Sequence, residues 1–101
     1  MSSLPLATEK LIRDTIQVAL QNQGQFQIIL FGSYTTGRQT SHSDIDIAIK
    51  STGPLPLSIW AQIEEIFENS DIPQKIDVVD YHRVQPEFQK IIDRSGIVLL
   101  P

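Results

Sequence analysis

Apolar residues recur at different spacings along the chain, and each spacing predicts a different element. Over residues 5–22 they return every three or four positions, which is the period of one helix face. Ser3 is placed to cap this predicted helix, Pro5 to start it and Gly24 to close it. The first part of the chain is therefore expected to be one amphipathic helix.

Two further helices follow from the same spacing. Residues 58–69 form one, and the other begins near Pro86 and ends at Gly96. We expect both to bury an apolar face, with the glutamates of the first turned outward. The side chains expected to face the core are Ile59, Trp60, Ile63, Ile66 and Phe67 in the first helix, and Phe88, Ile91 and Ile92 in the second.

Four segments have the patterns of strands. Residues 26–31 are a nearly continuous apolar run, which is typical of a strand buried on both faces. Residues 44–49 alternate with period two, and residues 75–81 and 97–100 predict two more strands. Residues 32–38 predict a turn region with room for a short helical piece. The order α-β-β-α-β-α-β predicts a compact α/β (α+β) domain in which helices cover a sheet.

Composition limits the kinds of protein this can be. With 101 residues, of which 41% are hydrophobic, we expect one domain over residues 1–101. No apolar run approaches the roughly 18–20 residues of a membrane helix, and the first residues lack the segments of a secretory signal. The chain contains no cysteine, so the cytoplasm is the expected location.

Charge argues against a protein that binds nucleic acid by itself. Eight Lys and Arg residues face twelve Asp and Glu residues, for a net charge of −4, and the basic residues are scattered singly. They form no basic stripe that could follow a nucleic-acid backbone. An acidic protein can still bind a polyphosphate when metal ions lie between the two negative partners.

The most informative segment is a Gly-Ser pair followed, ten residues later, by an Asp-Ile-Asp motif. In the alternating strand, Asp44 and Asp46 fall on one face, with their carboxylates about 5–7 Å apart. Asp is disfavoured in strands and two such charges repel, so a purely structural role carries two penalties. Oxygen ligands at this separation suit two divalent cations about 3.5–4 Å apart, the two-metal arrangement of nucleotidyl transfer. Gly32 lets the backbone approach a phosphate, and Ser33 offers it a hydroxyl and an amide.

A third carboxylate is available on the next predicted strand. Asp77 interrupts the apolar run of residues 75–81 and shares a face with Val79. Such a charge is costly in a central strand unless something pairs with it. Asp80 lies at the strand end, where we expect solvation to be easy. We therefore expect Asp77 to be the third metal ligand, or a base that deprotonates an acceptor hydroxyl.

These residues resemble the signature of the nucleotidyltransferase superfamily related to DNA polymerase beta. The segment GSYTTGRQTSHSDIDIAI carries its pattern of Gly-Ser, ten residues and Asp-x-Asp. The segment KIDVVDYHRVQPEFQKIIDRSGIVLL is similar to the end of the minimal nucleotidyltransferases, which are MntA-like antitoxins. The resemblance covers most of the chain, from about residue 26 to residue 100. It implies a small mixed β-sheet with helices packed on it, as in the polymerase beta palm.

The resemblance also implies roles for individual residues. The implied catalytic and metal-binding carboxylates are Asp44, Asp46 and Asp77. Gly32 and Ser33 would be the phosphate-binding pair, and Arg38 in the same turn is a further candidate for contact with the triphosphate. The implied cofactor is Mg²⁺, as two ions, with ATP as the substrate.

The implied reaction is transfer of AMP from ATP to a hydroxyl, with release of pyrophosphate. Minimal members of the superfamily are commonly antitoxins that adenylylate a tyrosine of a HEPN-type ribonuclease toxin, so such a toxin is the expected partner. Two alternatives stay open from the sequence. One is a non-catalytic antitoxin that acts by direct binding, and the other is a nucleotidyltransferase that modifies a small molecule.

Several side chains near these motifs have no settled role. Tyr34 could pack in the core or stack on a base, and Trp60 has the spacing of a core residue. Ser43 is expected to form a local hydrogen bond that orients the loop before the aspartates. The roles of three further residues stay open: His42, His82 and Arg83.

Overall fold

The elements follow one another in the order that the hydrophobic pattern predicts. The computed structural model describes residues 4–40 and 43–100. Its elements are α1 (Leu6–Ala19), β1 (Phe26–Phe31), α2 (Ser33–Thr36), β2 (Ile45–Ser51), α3 (Leu57–Glu68), β3 (Ile76–Asp80), α4 (Pro86–Ser95) and β4 (Ile97–Leu100). In this part of the chain, each helix is too short or too polar to cross a membrane.

The first helix differs from its expected bounds. It ends at Ala19, where the backbone N–H of Leu20 caps it by donating to the carbonyl of Ile16. Gly24 has a φ of +80° and lies in the turn that leads into β1, so its conformational freedom serves that turn and not the helix end. Ser3, the expected cap, lies outside the described residues.

A four-stranded mixed sheet forms the centre of the molecule. Its strand order is β3-β2-β1-β4, with β1 antiparallel to both of its neighbours and β2 parallel to β3. The parallel pair is connected through α3, because parallel strands need a crossover of this length. The mixed sheet that the family resemblance implied is confirmed.

The two faces of the sheet bury different sets of side chains. On the first face, the isoleucines of β2 pack with α1 and α3 in the main core. On the second face, a smaller cluster is formed by Ile29, Phe31, Ala48 and Ile92. The alternation of β2 therefore has the predicted effect, since Ile45, Ile47 and Ile49 belong to the first face and Ala48 to the second.

Helix α4 covers the second face less completely than expected. Ile92 is buried, but Ile91 is 53% exposed and Phe88 is 37% exposed. The ring of Phe88 contacts the ring of Phe31 edge-on, with centroids 5.5 Å apart. The expectation that all three residues face the core was wrong for Ile91, because this residue lies on the side of α4 that is turned to solvent. In α3, Ile66 is likewise partly exposed.

Asp80 is buried, which corrects the expectation that the strand end leaves it solvated. Only 5% of it is exposed. Its carboxylate accepts hydrogen bonds from the backbone N–H groups of Leu55 at 2.9 Å and His82 at 3.0 Å, and it pairs with Arg83 at 3.4 Å. It thereby fixes the loop after β2 to the turn after β3.

We expect Asp80→Ala to lower the free energy of unfolding by about 2–3 kcal/mol, because the buried N–H of Leu55 would lose its acceptor. Urea unfolding would measure this as a lower midpoint at an unchanged m-value. Asp77→Ala, three residues earlier on the opposite face, is the matched control and is expected to leave the midpoint unchanged or higher. Equal losses in the two variants would contradict the structural role of Asp80.

Candidate active site

The turn between β1 and the short helix α2 is built on Gly32. This residue has a φ of +80° and a ψ of −147°, a region that residues with a side chain hardly enter. The carbonyl of Gly32 accepts hydrogen bonds from the backbone N–H of Thr35 at 3.0 Å and from its hydroxyl at 2.9 Å. Gly37, with a φ of +74°, ends α2. The expected short helical piece after the first strand is thus present and fixed at both ends.

Gly32 also makes room for the carboxylate of Asp46. A Cβ atom on residue 32 would collide with Oδ2 of Asp46. This contact follows from the register, since Phe31 lies opposite Asp46 in the antiparallel β1–β2 pair. The sequence suggested only that Gly32 lets a phosphate approach. Its contact with Asp46 depends on how two strands pair and has no signal in the sequence.

Asp46 and Asp77 are neighbours on the sheet. They are register partners in the parallel β2–β3 pair, so both side chains leave the sheet on the same face. Asp44 lies just before β2 instead of inside it, and it is exposed. The structure therefore brings the two strand aspartates together, while Asp44 joins them from the preceding loop.

Negative charge is concentrated around Asp46. Burial raises the pKa of the Asp46 carboxyl above its ordinary value, and the charges of Asp77 and Asp44 raise it further. All three predicted carboxylates are thus close enough to interact electrostatically. Asp77 also forms an ion pair with Lys75 at 3.5 Å, in which the Lys75 side chain is 72% exposed.

The carboxylates do not form a closed cage by themselves. Among residues 4–40 and 43–100, no three His, Asp or Glu side chains stand close enough together to enclose a metal ion. The donor set nevertheless fits divalent cations, because carboxylate oxygens are the ligands that Mg²⁺ prefers. Burial and two acidic neighbours raise the pKa of Asp46, so its charged form is disfavoured, and a bound cation would favour it again.

The remaining predicted residues lie in the turn and in the loop that follows it. Ser33 begins α2 and is half-buried, next to Gly32. Arg38 follows the helix with an exposed side chain, and its backbone N–H donates to the carbonyl of Ser33 at 3.2 Å. The hydroxyl of Ser43 accepts a hydrogen bond from the backbone N–H of Thr40 at 2.8 Å, so the expected local bond is confirmed. His42 lies outside the described residues.

Four side chains whose roles the sequence left open make structural contacts. Tyr34 and Trp60 are buried in the main core. His82 contacts the carbonyl of Ser51 through Nε2, and Arg83 donates to the carbonyl of Leu55 at 2.8 Å. These last two lie where β2 and β3 end, while the carboxylates lie where both strands begin. They are therefore placed to hold loops and not to contact a substrate at the carboxylates.

We expect Asp46→Asn to raise the melting temperature at pH 7, in the presence of EDTA, by a few degrees. Since the folded protein raises the pKa of Asp46, ionisation of this group destabilises the fold as the pH rises above the ordinary Asp value of about 3.9. The gain should therefore disappear near pH 3.5. Thermal melts at both pH values measure it, with Asp80→Asn as a control that lowers the melting temperature. An equal gain at both pH values would contradict the electrostatic cause.

We expect Gly32→Ala to lower the free energy of unfolding by about 2–4 kcal/mol and Gly37→Ala by about 1 kcal/mol. Both positions have a positive φ, but a Cβ meets the Asp46 carboxylate only at residue 32 and nothing within 4 Å at residue 37. Adding Asp46→Ala should recover part of the loss in Gly32→Ala and none in Gly37→Ala. Urea unfolding of the single and double variants checks this, and strictly additive losses would rule out the contact.

Comparisons with known proteins show the family to which the chain is similar. The family described as "Polymerase beta, Nucleotidyltransferase" matches residues 14–101. A protein of Haemophilus influenzae named "Probable protein adenylyltransferase MntA" is 31% identical over 74 residues. These residues are 73% of this chain and 65% of that relative, so the chain spans less than two thirds of the relative's length.

Solved structures share the fold. A crystal structure of a toxin-antitoxin with AMP-PNP has a TM-score of 0.66 at 26% identity, over 85% of this chain and 70% of that chain. A complex of tri-AMPylated Shewanella oneidensis HEPN toxin with MNT antitoxin is similar in fold, with a TM-score of 0.60 at 22% identity over 90% of this chain and 71% of that chain. The match over most of its length shows that this protein belongs to the polymerase beta nucleotidyltransferase family.

Proposed function

We propose that this protein transfers AMP from ATP to a hydroxyl group of a partner protein, as the antitoxin of a HEPN-type ribonuclease toxin. The observation that carries the proposal is the position of Asp46, which lies between the Gly32 turn and Asp77 on one face of the sheet. The relative named as a protein adenylyltransferase and the toxin-antitoxin structure with AMP-PNP support it.

The phosphates of ATP are assigned to the turn after β1. Gly32 brings the backbone of the turn next to Asp46, and Ser33 offers a hydroxyl and an amide to the β- and γ-phosphates. Arg38 is exposed at the other end of α2, where its side chain can reach the outer edge of the triphosphate.

The metal ligands are assigned to the three carboxylates, Asp44, Asp46 and Asp77. The charge of Asp46 is disfavoured by burial and by its two acidic neighbours, and a cation would offset this, while the hard oxygens of the three carboxylates suit two Mg²⁺ ions. When bound, Mg²⁺ neutralises the charge of the phosphates and of the departing pyrophosphate. The chain's own residues then have to align the reactants.

The reaction requires the protein to align the two reactants rather than to form a covalent bond with either of them. The acceptor oxygen forms a bond to the α-phosphorus of ATP, while the bond from that phosphorus to the bridging oxygen of pyrophosphate breaks. We assign acceptance of the hydroxyl proton to Asp77, because 42% of its side chain is exposed and it lies beside Asp46. Because the protein holds both reactants in this geometry, the transfer becomes effectively intramolecular.

A protein acceptor fits the charge of this chain better than a nucleic acid does. The net charge is −4 and the basic residues are scattered, so a nucleic-acid template would have no continuous positive surface to bind. A folded partner can instead bring its hydroxyl group to the carboxylates by docking. Since ATP is the donor, we assign the reaction to the cytoplasm.

We expect Asp46→Asn to reduce transfer of label from α-³²P-ATP to the co-expressed HEPN-type partner by about a hundredfold or more, because it removes a charge on which the cations depend. Electrophoresis of the partner, followed by mass spectrometry for added AMP, measures the transfer. Asp71→Asn is the matched control, since it makes the same chemical change at an exposed loop residue. It is expected to leave the transfer unchanged.

The same experiment separates the alternatives. If Asp46→Asn still neutralises the toxin while no label is transferred by the wild type, the protein is an antitoxin that acts by binding. If label from the wild type is found on an added small molecule and never on the partner, the acceptor is a small molecule. Circular dichroism of each variant confirms that the fold is retained.

A further inference from the structure

The strand that carries Asp77 has an open side. β3 is an edge strand and, within the described residues, pairs with β2 alone. The backbone N–H of Ile45 donates to Lys75 at 2.8 Å, and that of Tyr81 donates to Ile49 at 3.0 Å. Because the backbone groups of a strand point alternately to its two sides, the N–H and C=O groups of residues 76 and 78 point to the open edge. They are available to a further strand.

A groove runs along this edge. Its volume is about 530 Å³, and it lies between β3 and the C-terminal half of α3. Ile76 and Val78 form one side, and Glu64, Phe67 and Glu68 form the other. Both glutamates are exposed, and neither forms an ion pair within the part of the chain that the structure describes. Lys75 and Asp77 line the groove as well, so its four charged side chains carry a net negative charge, and its strand edge is unpaired.

The geometry of an in-line displacement indicates that the acceptor approaches from this edge. In the strand order, the Gly32 turn lies on the β1 side of Asp46 and Asp77 lies on the β3 side. With the outer phosphates at the turn, pyrophosphate leaves toward β1. An in-line displacement brings the attacking oxygen from the opposite direction, which is the open edge of β3.

We propose that the acceptor is an extended, basic segment of the partner, which pairs with the open edge of β3 as an added strand. This inference rests on the proposed function and names the acceptor of that same site. The hydroxyl residue of the segment lies on the second face, beside Asp77, where its oxygen attacks the α-phosphorus and its proton passes to Asp77. Backbone hydrogen bonds to residues 76 and 78 give the segment its alignment.

The alternation of side chains then specifies the neighbours of the hydroxyl residue. In an added strand, the residues before and after it point to the first face, on the side of the groove. Glu64 and Glu68 form the wall there, so Lys or Arg at these neighbouring positions would complement their charge. The acceptor class is thus a hydroxyl residue next to at least one basic residue in a segment outside the partner's helices.

The first test is hydrogen exchange of the protein alone and in complex with its co-expressed HEPN-type partner. We expect the amides of Ile76 and Val78 to exchange at least about tenfold more slowly in the complex, because they gain hydrogen bonds. The other edge strand, β4, is the internal control and should not change. Unchanged exchange at residues 76 and 78 would overturn the added strand. Protection that appears without the partner and grows with concentration would assign the edge to a second copy of this chain.

The second test uses the groove wall. We expect Glu64→Gln combined with Glu68→Gln to raise the KM for the partner about three- to tenfold, because two attractive charge contacts are lost. The KM for ATP should not change. Glu65→Gln makes the same change on α3 outside this groove and is expected to have no effect. Mass spectrometry should place the added AMP on a residue with a neighbouring Lys or Arg.

The outcomes separate this inference from the proposed function. If the wild type labels its partner and the double variant does so with an unchanged KM, the groove is not the acceptor site while the transferase activity stands. An AMP-bearing residue between two acidic neighbours would have the same consequence. If the wild type transfers no AMP to its partner at all, the proposed function and the inference built on it both fail.

Discussion

The carboxylate of Asp46 occupies the space that a side chain at residue 32 would need, and two more aspartates face it. This crowding of one charged group affects each neighbour in a different way. It disfavours any side chain at the start of the turn, and burial together with the two neighbouring charges makes ionisation of Asp46 unfavourable in the folded protein. Selection for stability alone would not favour such an arrangement, because the charge of Asp46 could be removed with a gain in stability. The penalty becomes understandable if cations and a polyphosphate complete the cluster.

The strand order gives the site around Asp46 two distinct sides. Because β2 lies between β1 and β3, the glycine turn and Asp77 are on opposite sides of Asp46. A donor held at the turn and an acceptor arriving at β3 would therefore approach one phosphorus atom from opposite directions, as an in-line displacement demands. The same order leaves β3 at the edge of the sheet. The topology that would align the two reactants thus also leaves the edge of β3 open for the acceptor.

Two aspartates of β3 illustrate how the position of a carboxylate determines its role. Asp77 points to the second face, is partly exposed and has an exposed lysine as its partner. Asp80 points to the first face, is buried and is fixed by backbone N–H groups from two loops. Each environment offsets the free-energy cost of a carboxylate in a strand. For Asp77 the offset comes from solvent and the exposed lysine, and for Asp80 it comes from hydrogen bonds. Only the first leaves oxygen atoms free for another ligand.

The sequence by itself determined the kinds of element, their order and the face on which each strand residue lies, because helix and strand periodicities are local properties of the chain. It also placed the Gly-Ser pair at a strand end and separated Asp46 from the isoleucines of β2. The contact of Gly32 with Asp46, the pairing of Asp46 with Asp77, the burial of Asp80 and the exposure of Ile91 were decided by the tertiary structure. Each of these depends on which strand lies beside which, in what register and under how much of a helix, and such long-range pairing leaves no periodic pattern in the residues themselves.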